Sequence, residues 1–108
     1  MEMQSIVEQM IEVNVRLDNA IKVLFKYAKS KAESERVYRM ELAKEIMRLR
    51  SEGTQATIIS DLSRGRVAEL RFTRDFNDTH YRATIESIDV LKTQMSALQS
   101  ILKYQTET

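Results

Sequence analysis

Residues 53–65, GTQATIISDLSRG, decide the fold because they contain both glycines of a 108-residue chain that has no proline. Glycine and proline are the residues that most often end helices, so their absence elsewhere predicts long uninterrupted helices on either side. Gly53 suits the left-handed position that follows a helix C-terminus. Between the glycines, Ile58, Ile59 and Leu62 stand among turn and cap formers, which predicts a short helix within one connection.

Apolar residues on both sides of this connection recur at alternating spacings of four and three, the heptad pattern of helices that pack along a seam. We predict a first helix over about residues 3–51, a connection with a short helix over 54–64 and a second helix over about 66–105, in a single domain over residues 1–108. The predicted fold class is all-α, a long antiparallel, coiled-coil-like helical hairpin with a short helix at the turn.

Each long helix carries a second apolar stripe that the hairpin seam leaves exposed. Exposed apolar surface of this extent usually marks an interface. We therefore expect a homo-oligomer, most simply a homodimer that forms a four-helix bundle. The candidate dimer interface comprises Val7, Ile11, Val15, Phe25, Ile85, Val90, Ile101 and Tyr104.

The middle of the predicted seam is polar, and the register that aligns the apolar residues places Glu35 against Asn77. The polar seam comprises Glu35, Arg39, Asn77, His80, Tyr81 and Thr84. Polar residues at core positions fix register and oligomeric state at some cost in stability, which is the structural interpretation. The alternative is that the bundle loosens here to receive a partner, and the sequence leaves both interpretations open.

Arginines gather around the predicted turn. From residue 44 to residue 74, seven Lys and Arg residues stand against four Asp and Glu, although the whole chain is nearly balanced at 17 against 16. Arginine can bind carboxylate or phosphate groups through two parallel hydrogen bonds, so these residues could bind a partner. The alternative is that they form salt bridges with acidic residues on the helix surface. The candidate partner-binding residues are Arg48, Arg50, Ile58, Ile59, Arg64, Arg66, Arg71 and Arg74, with the two isoleucines as an exposed apolar anchor.

Residues that carry catalysis or bind metals are scarce. The chain has no cysteine and one histidine, His80, so disulfides, thiolate zinc sites and thiol nucleophiles are excluded. Asn77 stands where a di-iron helix bundle needs a glutamate three residues before the histidine. We therefore predict a non-enzyme with no metal and no cofactor.

The sequence also predicts a cytoplasmic protein without a membrane partner. The longest stretch without a charge, residues 93–102, is about half as long as a helix that crosses a bilayer. The first residues, MEMQS, lack the basic and apolar regions of a signal peptide.

Residues 38–102 resemble small uncharacterised all-helical proteins of phages and prophages of Gram-positive bacteria. The resemblance rests on YRMELA at 38–43, LRSEG at 49–53, ISDLSRG at 59–65 and VAELRF at 67–72. It implies a helical protein without a catalytic signature that acts near phage replication, recombination or host takeover, in the host cytoplasm.

Two functions follow as expectations. The first is a protein-binding module, an adaptor or inhibitor, that docks on a phage or host protein through its basic hairpin tip. The second is an accessory DNA-binding protein of phage replication or recombination that uses the same arginines on phosphates. The nearly balanced charge of the whole chain makes nucleic acid the less favoured partner.

Overall fold

The computed structural model describes residues 2–107, and all regular secondary structure in that range is helical. Helix α1 spans Met3–Ser51, α2 spans Ala56–Arg66 and α3 spans Ala68–Glu107. The prediction of an all-helical chain with two long helices and a short one between them is confirmed.

Gly53 ends α1 by adopting a positive φ of 80°. Its N–H donates to the carbonyl oxygen of Arg50, and the N–H of Thr54 donates to the carbonyl oxygen of Leu49, each at 3.1 Å. This pair of bonds is the Schellman motif, which satisfies carbonyl groups that have no partner within the helix. The glycine therefore fixes the end of α1 where the sequence predicts it.

Gly65 lies inside α2 and does not separate α2 from α3. The expected range of 54–64 for the short helix is therefore shifted to Ala56–Arg66, and α3 begins at Ala68. A glycine within a helix costs about 1 kcal/mol relative to alanine, which is less than the roughly 1.5–3 kcal/mol gained by burying a valine. Val67, which ends α2, is buried, and this burial favours continuing the helix through Gly65.

The two glycines should respond oppositely to alanine. Gly53→Ala places a Cβ at positive φ, so we expect it to lower the free energy of unfolding by about 1 kcal/mol. Gly65→Ala meets nothing within 4 Å and should raise the free energy of unfolding by roughly 0.5–1 kcal/mol. Urea denaturation followed by circular dichroism measures both changes, and equal effects of the two substitutions would contradict the assignment.

The chain divides into two compact units. The α2 unit comprises Tyr27–Tyr81 and includes α2, the end of α1 and the start of α3. The terminal unit comprises the parts of α1 up to Lys26 and of α3 from Arg82 onward.

The core of the terminal unit is formed by both long helices. Ile6 and Val13 of α1 are buried together with Leu98 of α3. Packed against them are Met10, Leu17, Leu91, Met95 and Leu102. These residues belong to the heptad stripes of the sequence, so the stripes form the core of this unit.

In the α2 unit the α1 and α3 segments run antiparallel. Tyr27 contacts His80, whereas Tyr38, further along α1, lies under Arg74, which comes earlier in α3. The buried apolar residues of this unit are Tyr38, Leu49, Ile59 and Val67.

Candidate partner-binding site

A groove, here called the tip groove, lies between the end of α1 and α2. Its lining residues are Leu42, Ile46 and Arg50 of α1 with Ala56, Ile59, Ser60, Ser63 and Arg64 of α2. Ile59 and Ser63 are buried, and the Ser63 hydroxyl donates to the carbonyl oxygen of Ser60 at 3.0 Å. Arg50 and Arg64 are exposed. The groove therefore combines apolar side chains with two arginines that solvent can reach.

Two of the predicted tip arginines are held by glutamates. Arg48 contacts Glu45 and Glu52, with nitrogen to oxygen distances of 2.7 Å to each, and Arg66 Nε lies 3.8 Å from Glu45 Oε2. The hydrogen bond from Arg48 holds the pKa of Glu45 below its usual value, and the same bond raises the pKa of Arg48. These arginines belong to a salt-bridged helix surface.

Arg71 and Arg74 are engaged as well. Arg71 Nε lies 3.9 Å from Asp75 Oδ2, and Arg74 Nη2 lies 2.9 Å from Asp75 Oδ1. The Arg74 guanidinium also lies 4.4 Å from the centre of the Tyr38 ring and 3.5 Å from Glu35 Oε2. The hydrogen bond to Asp75 raises the pKa of Arg74. The contacts that Arg74 makes with α1 hold the two helices in register.

Arg50 and Arg64 differ from the other predicted tip arginines. Within residues 2–107, neither guanidinium takes part in a hydrogen bond or an ion pair. Both can therefore offer their full set of N–H donors to a carboxylate or phosphate group. Of the six arginines in the predicted site, four are therefore paired with acidic residues, whereas Arg50 and Arg64 are not.

The predicted exposed pair of isoleucines is not a pair in the structure. Ile58 is 44% exposed, but Ile59 is only 8% exposed. Consecutive residues of a helix point about 100° apart, so one of them faces the interior when the other faces solvent. Ile59 lines the tip groove, and Ile58 does not.

The polar seam forms contacts that differ from the predicted opposition of Glu35 and Asn77. Asn77 Nδ2 donates to the carbonyl oxygen of Ser30 at 3.3 Å. Glu35 pairs with Arg39 at 2.6 Å within α1 and with Arg74 at 3.5 Å across the helices. The packing of α1 against α3 brings the Arg74 guanidinium, and not the Asn77 amide, to Glu35, where the opposite charges attract.

The remaining seam residues do not form one cluster. Lys31 Nζ lies 3.7 Å from Asp78 Oδ1 and 5.6 Å from the centre of the Tyr81 ring. Thr84 is half-buried and belongs to the terminal unit. The contacts across the helices favour the structural interpretation of the seam, because each ties a residue of α1 to one of α3.

His80 belongs to a line of rings that sequence reasoning missed. This aromatic ladder comprises Phe72, Phe76 and His80 of α3 with Tyr27 of α1. The ring centres lie 6.2 Å apart for Phe72 and Phe76, 4.5 Å for Phe76 and His80, and 5.1 Å for Tyr27 and His80. The signal was present in the sequence as aromatic rings four residues apart on one helix, a spacing that brings side chains together.

The predicted dimer stripe is exposed. Every one of its eight residues presents a large apolar or aromatic side chain to solvent. Phe25 and Tyr104 are the most open, at 73% and 72% exposure. The expectation that the seam leaves these residues uncovered is confirmed, whereas the dimer itself stays a prediction.

A metal site or a membrane span would point to other functions. In the range 2–107, no group of three or more His, Cys, Asp or Glu side chains is arranged to hold a metal ion. The helices in that range include none with an apolar stretch long enough to cross a membrane. Comparisons with protein-family models, with curated proteins and with solved structures found no match to the chain. We therefore infer function from the geometry of the tip groove and the exposed surfaces.

Proposed function

We propose that the protein is a non-enzymatic protein-interaction module that docks on a partner protein through the tip groove. The observation that carries this proposal is that Arg50 and Arg64, both without an ion pair in residues 2–107, line a groove that also contains Leu42, Ile46 and Ile59. Apolar pockets accompanied by arginine are typical of the residues that dominate protein interfaces. The groove fits a partner segment that presents carboxylates beside an apolar side chain.

We further propose that the partner is a phage or host protein and that this chain acts on it as an adaptor or inhibitor in the cytoplasm. The resemblance of residues 38–102 to small phage and prophage proteins supports this setting. Recruiting or blocking a protein requires only a binding surface, which the tip groove supplies.

Removal of both unpaired arginines should weaken binding of an acidic peptide. A fluorescein-labelled peptide of leucine and glutamate is expected to bind the wild type, and its lysine counterpart is not. Because ion pairs at exposed positions contribute up to about 1 kcal/mol each, the double variant Arg50→Ala, Arg64→Ala should raise the dissociation constant about tenfold. Fluorescence anisotropy measures the change.

A matched control removes two arginines that already pair within α1. Arg36 contacts Glu33, and Arg39 contacts Glu35. The variant Arg36→Ala, Arg39→Ala carries the same change in net charge and should leave peptide binding nearly unchanged. Equal weakening by the two double variants would contradict docking in the tip groove.

The alternative is an accessory DNA-binding protein of phage replication or recombination. It is favoured by the same observation, because unpaired arginines also suit phosphates. Two phosphate contacts predict a slope of about −2 when the logarithm of the association constant is plotted against that of salt concentration. Duplex DNA that binds more tightly than the acidic peptide, with this slope, would favour the alternative.

We also propose that the chain forms a homo-oligomer, most simply a dimer with a four-helix bundle. The proposal is supported by the exposed dimer stripe, since burial of apolar surface contributes roughly 25 cal/mol per Å². Light scattering coupled to size-exclusion chromatography tests it. A monomer at micromolar concentration would contradict it.

A further inference from the structure

The two arginines of the tip groove that form no ion pair within residues 2–107 lie at its opposite ends. Ala56 begins α2 shortly after α1 ends, whereas Arg66, the last residue of α2, lies 3.8 Å from Glu45 of α1. The two helices therefore run antiparallel along the groove. Arg50 is at the end of the groove that adjoins Ala56, and Arg64 is at the other end.

The tip groove is about as long as two turns of a helix. It extends along α1 from Leu42 to Arg50 and along α2 from Ala56 to Arg64, and eight residues of helix correspond to about 12 Å. Its volume is about 240 Å³, so it receives side chains of a partner and not the partner's backbone. Ile59, which is buried, lies between the two ends. The groove is therefore a short apolar slot with a cation at each end.

The charges of the groove favour a carboxylate at both ends. The residues within 2–107 that line the groove include two arginines and no acidic residue. Glu45, which lies nearby, is bonded by Arg48 and contacted by Arg66. In the same described range, Gln55 makes no side-chain hydrogen bond to the first turn of α2. The positive end of the α2 dipole therefore adds to the attraction of Arg50 for an anion.

The walls of the groove favour a helical partner segment. An extended segment binds chiefly through backbone hydrogen bonds to the edge of a sheet, and residues 2–107 contain no strand. A helix satisfies its own backbone groups, so it can bind through side chains alone. Two residues seven apart on a helix share one face and lie about 10.5 Å from each other. This spacing is within reach of both long arginine side chains.

We propose that the tip groove binds an amphipathic helix of the partner protein that carries two carboxylates seven residues apart with an apolar side chain between them. The proposal rests on the proposed function, docking in the tip groove. The apolar side chain, four residues after the first carboxylate, enters the groove beside Ile59. The carboxylates bind Arg50 and Arg64, one at each end.

Two alanine-based helical peptides with capped ends test this spacing. Each contains two glutamates and one leucine, which is four residues after the first glutamate. The second glutamate is seven residues after the first in the seven-spaced peptide. It is nine residues after the first in the nine-spaced peptide, which moves it to the opposite face of the helix. Fluorescence anisotropy should show that the wild type binds the seven-spaced peptide about fivefold more tightly, the effect of one exposed ion pair.

This preference should require both arginines. Arg50→Ala and Arg64→Ala are each expected to bind the two peptides equally, because a single cation does not distinguish the spacings. The matched control Arg36→Ala removes an arginine that contacts Glu33 within α1, so it should keep the fivefold preference. Replacing one alanine between the glutamates of the seven-spaced peptide by proline breaks the helix and should weaken binding at least fivefold.

The outcomes separate the helical partner from tip-groove docking itself. If the wild type binds both peptides equally while Arg50→Ala, Arg64→Ala weakens both, the helical spacing is overturned and docking stands. A proline peptide that binds as tightly as its parent overturns the helix in the same way. If only the labelled peptide of leucine and glutamate binds, the helical partner alone is overturned. If none of the acidic peptides binds, docking of an acidic segment and the helical partner both fail.

Discussion

Replacing Tyr38 by alanine is expected to lower the free energy of unfolding by about 3 kcal/mol. Tyr38 is buried in the α2 unit, and the Arg74 guanidinium lies 4.4 Å from the centre of its ring. The substitution removes a large buried side chain, leaves a cavity and takes away the surface on which Arg74 stacks. Urea denaturation followed by circular dichroism measures the change.

Tyr38→Leu separates the two contributions. Leucine keeps much of the apolar volume but offers no aromatic face. Tyr38→Leu should therefore lower the free energy of unfolding by only about 1–2 kcal/mol, close to the value of a partly desolvated cation–π contact. Met47→Ala, at an exposed position of the same helix, should change stability by less than about 0.5 kcal/mol. An effect of Tyr38→Ala as small as that of Met47→Ala would show that Tyr38 is not a core residue.

Replacing Leu98 by alanine is the second substitution with a large expected effect. Leu98 is the α3 residue of the buried cluster that contains Ile6 and Val13. Truncating a buried leucine costs its transfer free energy plus the free energy of the cavity, together about 2–4 kcal/mol. The same denaturation experiment measures it.

Leu98→Met serves as the control because methionine conserves the volume of the side chain. Swaps of this kind usually cost less than about 1.5 kcal/mol. If both substitutions at Leu98 had the same small effect, the cluster would not be the core of the terminal unit.

Much of the helical architecture could be predicted from local signals. The heptad spacing indicates both long helices. It also identifies residues of the terminal unit's core, since Met10 and Met95 pack against the same buried cluster. The end of α1 at Gly53 could also be predicted, because glycine adopts a positive φ without help from distant residues. The prediction that Gly65 separates α2 from α3 was wrong. The sequence does not show whether the burial of a neighbouring residue outweighs the free-energy cost of a glycine within a helix.

The candidate site could be predicted only in outline. The spacings of three and four residues to Glu45 and Glu52 indicate that Arg48 is paired, but the equal spacing of Arg64 to Asp61 produces no ion pair in residues 2–107. Exposure of Ile58 and burial of Ile59 depend on how α2 is turned toward α1. The aromatic ladder was readable as a spacing of four residues, yet its exposure was not.

The sequence by itself determined that the chain is helical, where α1 ends and which residues form its apolar stripes, because these properties depend on neighbours within a few positions along the chain. The tertiary structure alone decided which isoleucine lines the tip groove, which aromatic rings face solvent and that Arg66 and Arg74 contact glutamates of α1. The physical reason is that burial and ion pairs between helices require groups far apart in the sequence to lie within a few ångströms, as Arg66 does to Glu45. The pairing of Glu35 with Arg74 instead of Asn77 shows that such distances are set by the packing of α1 against α3.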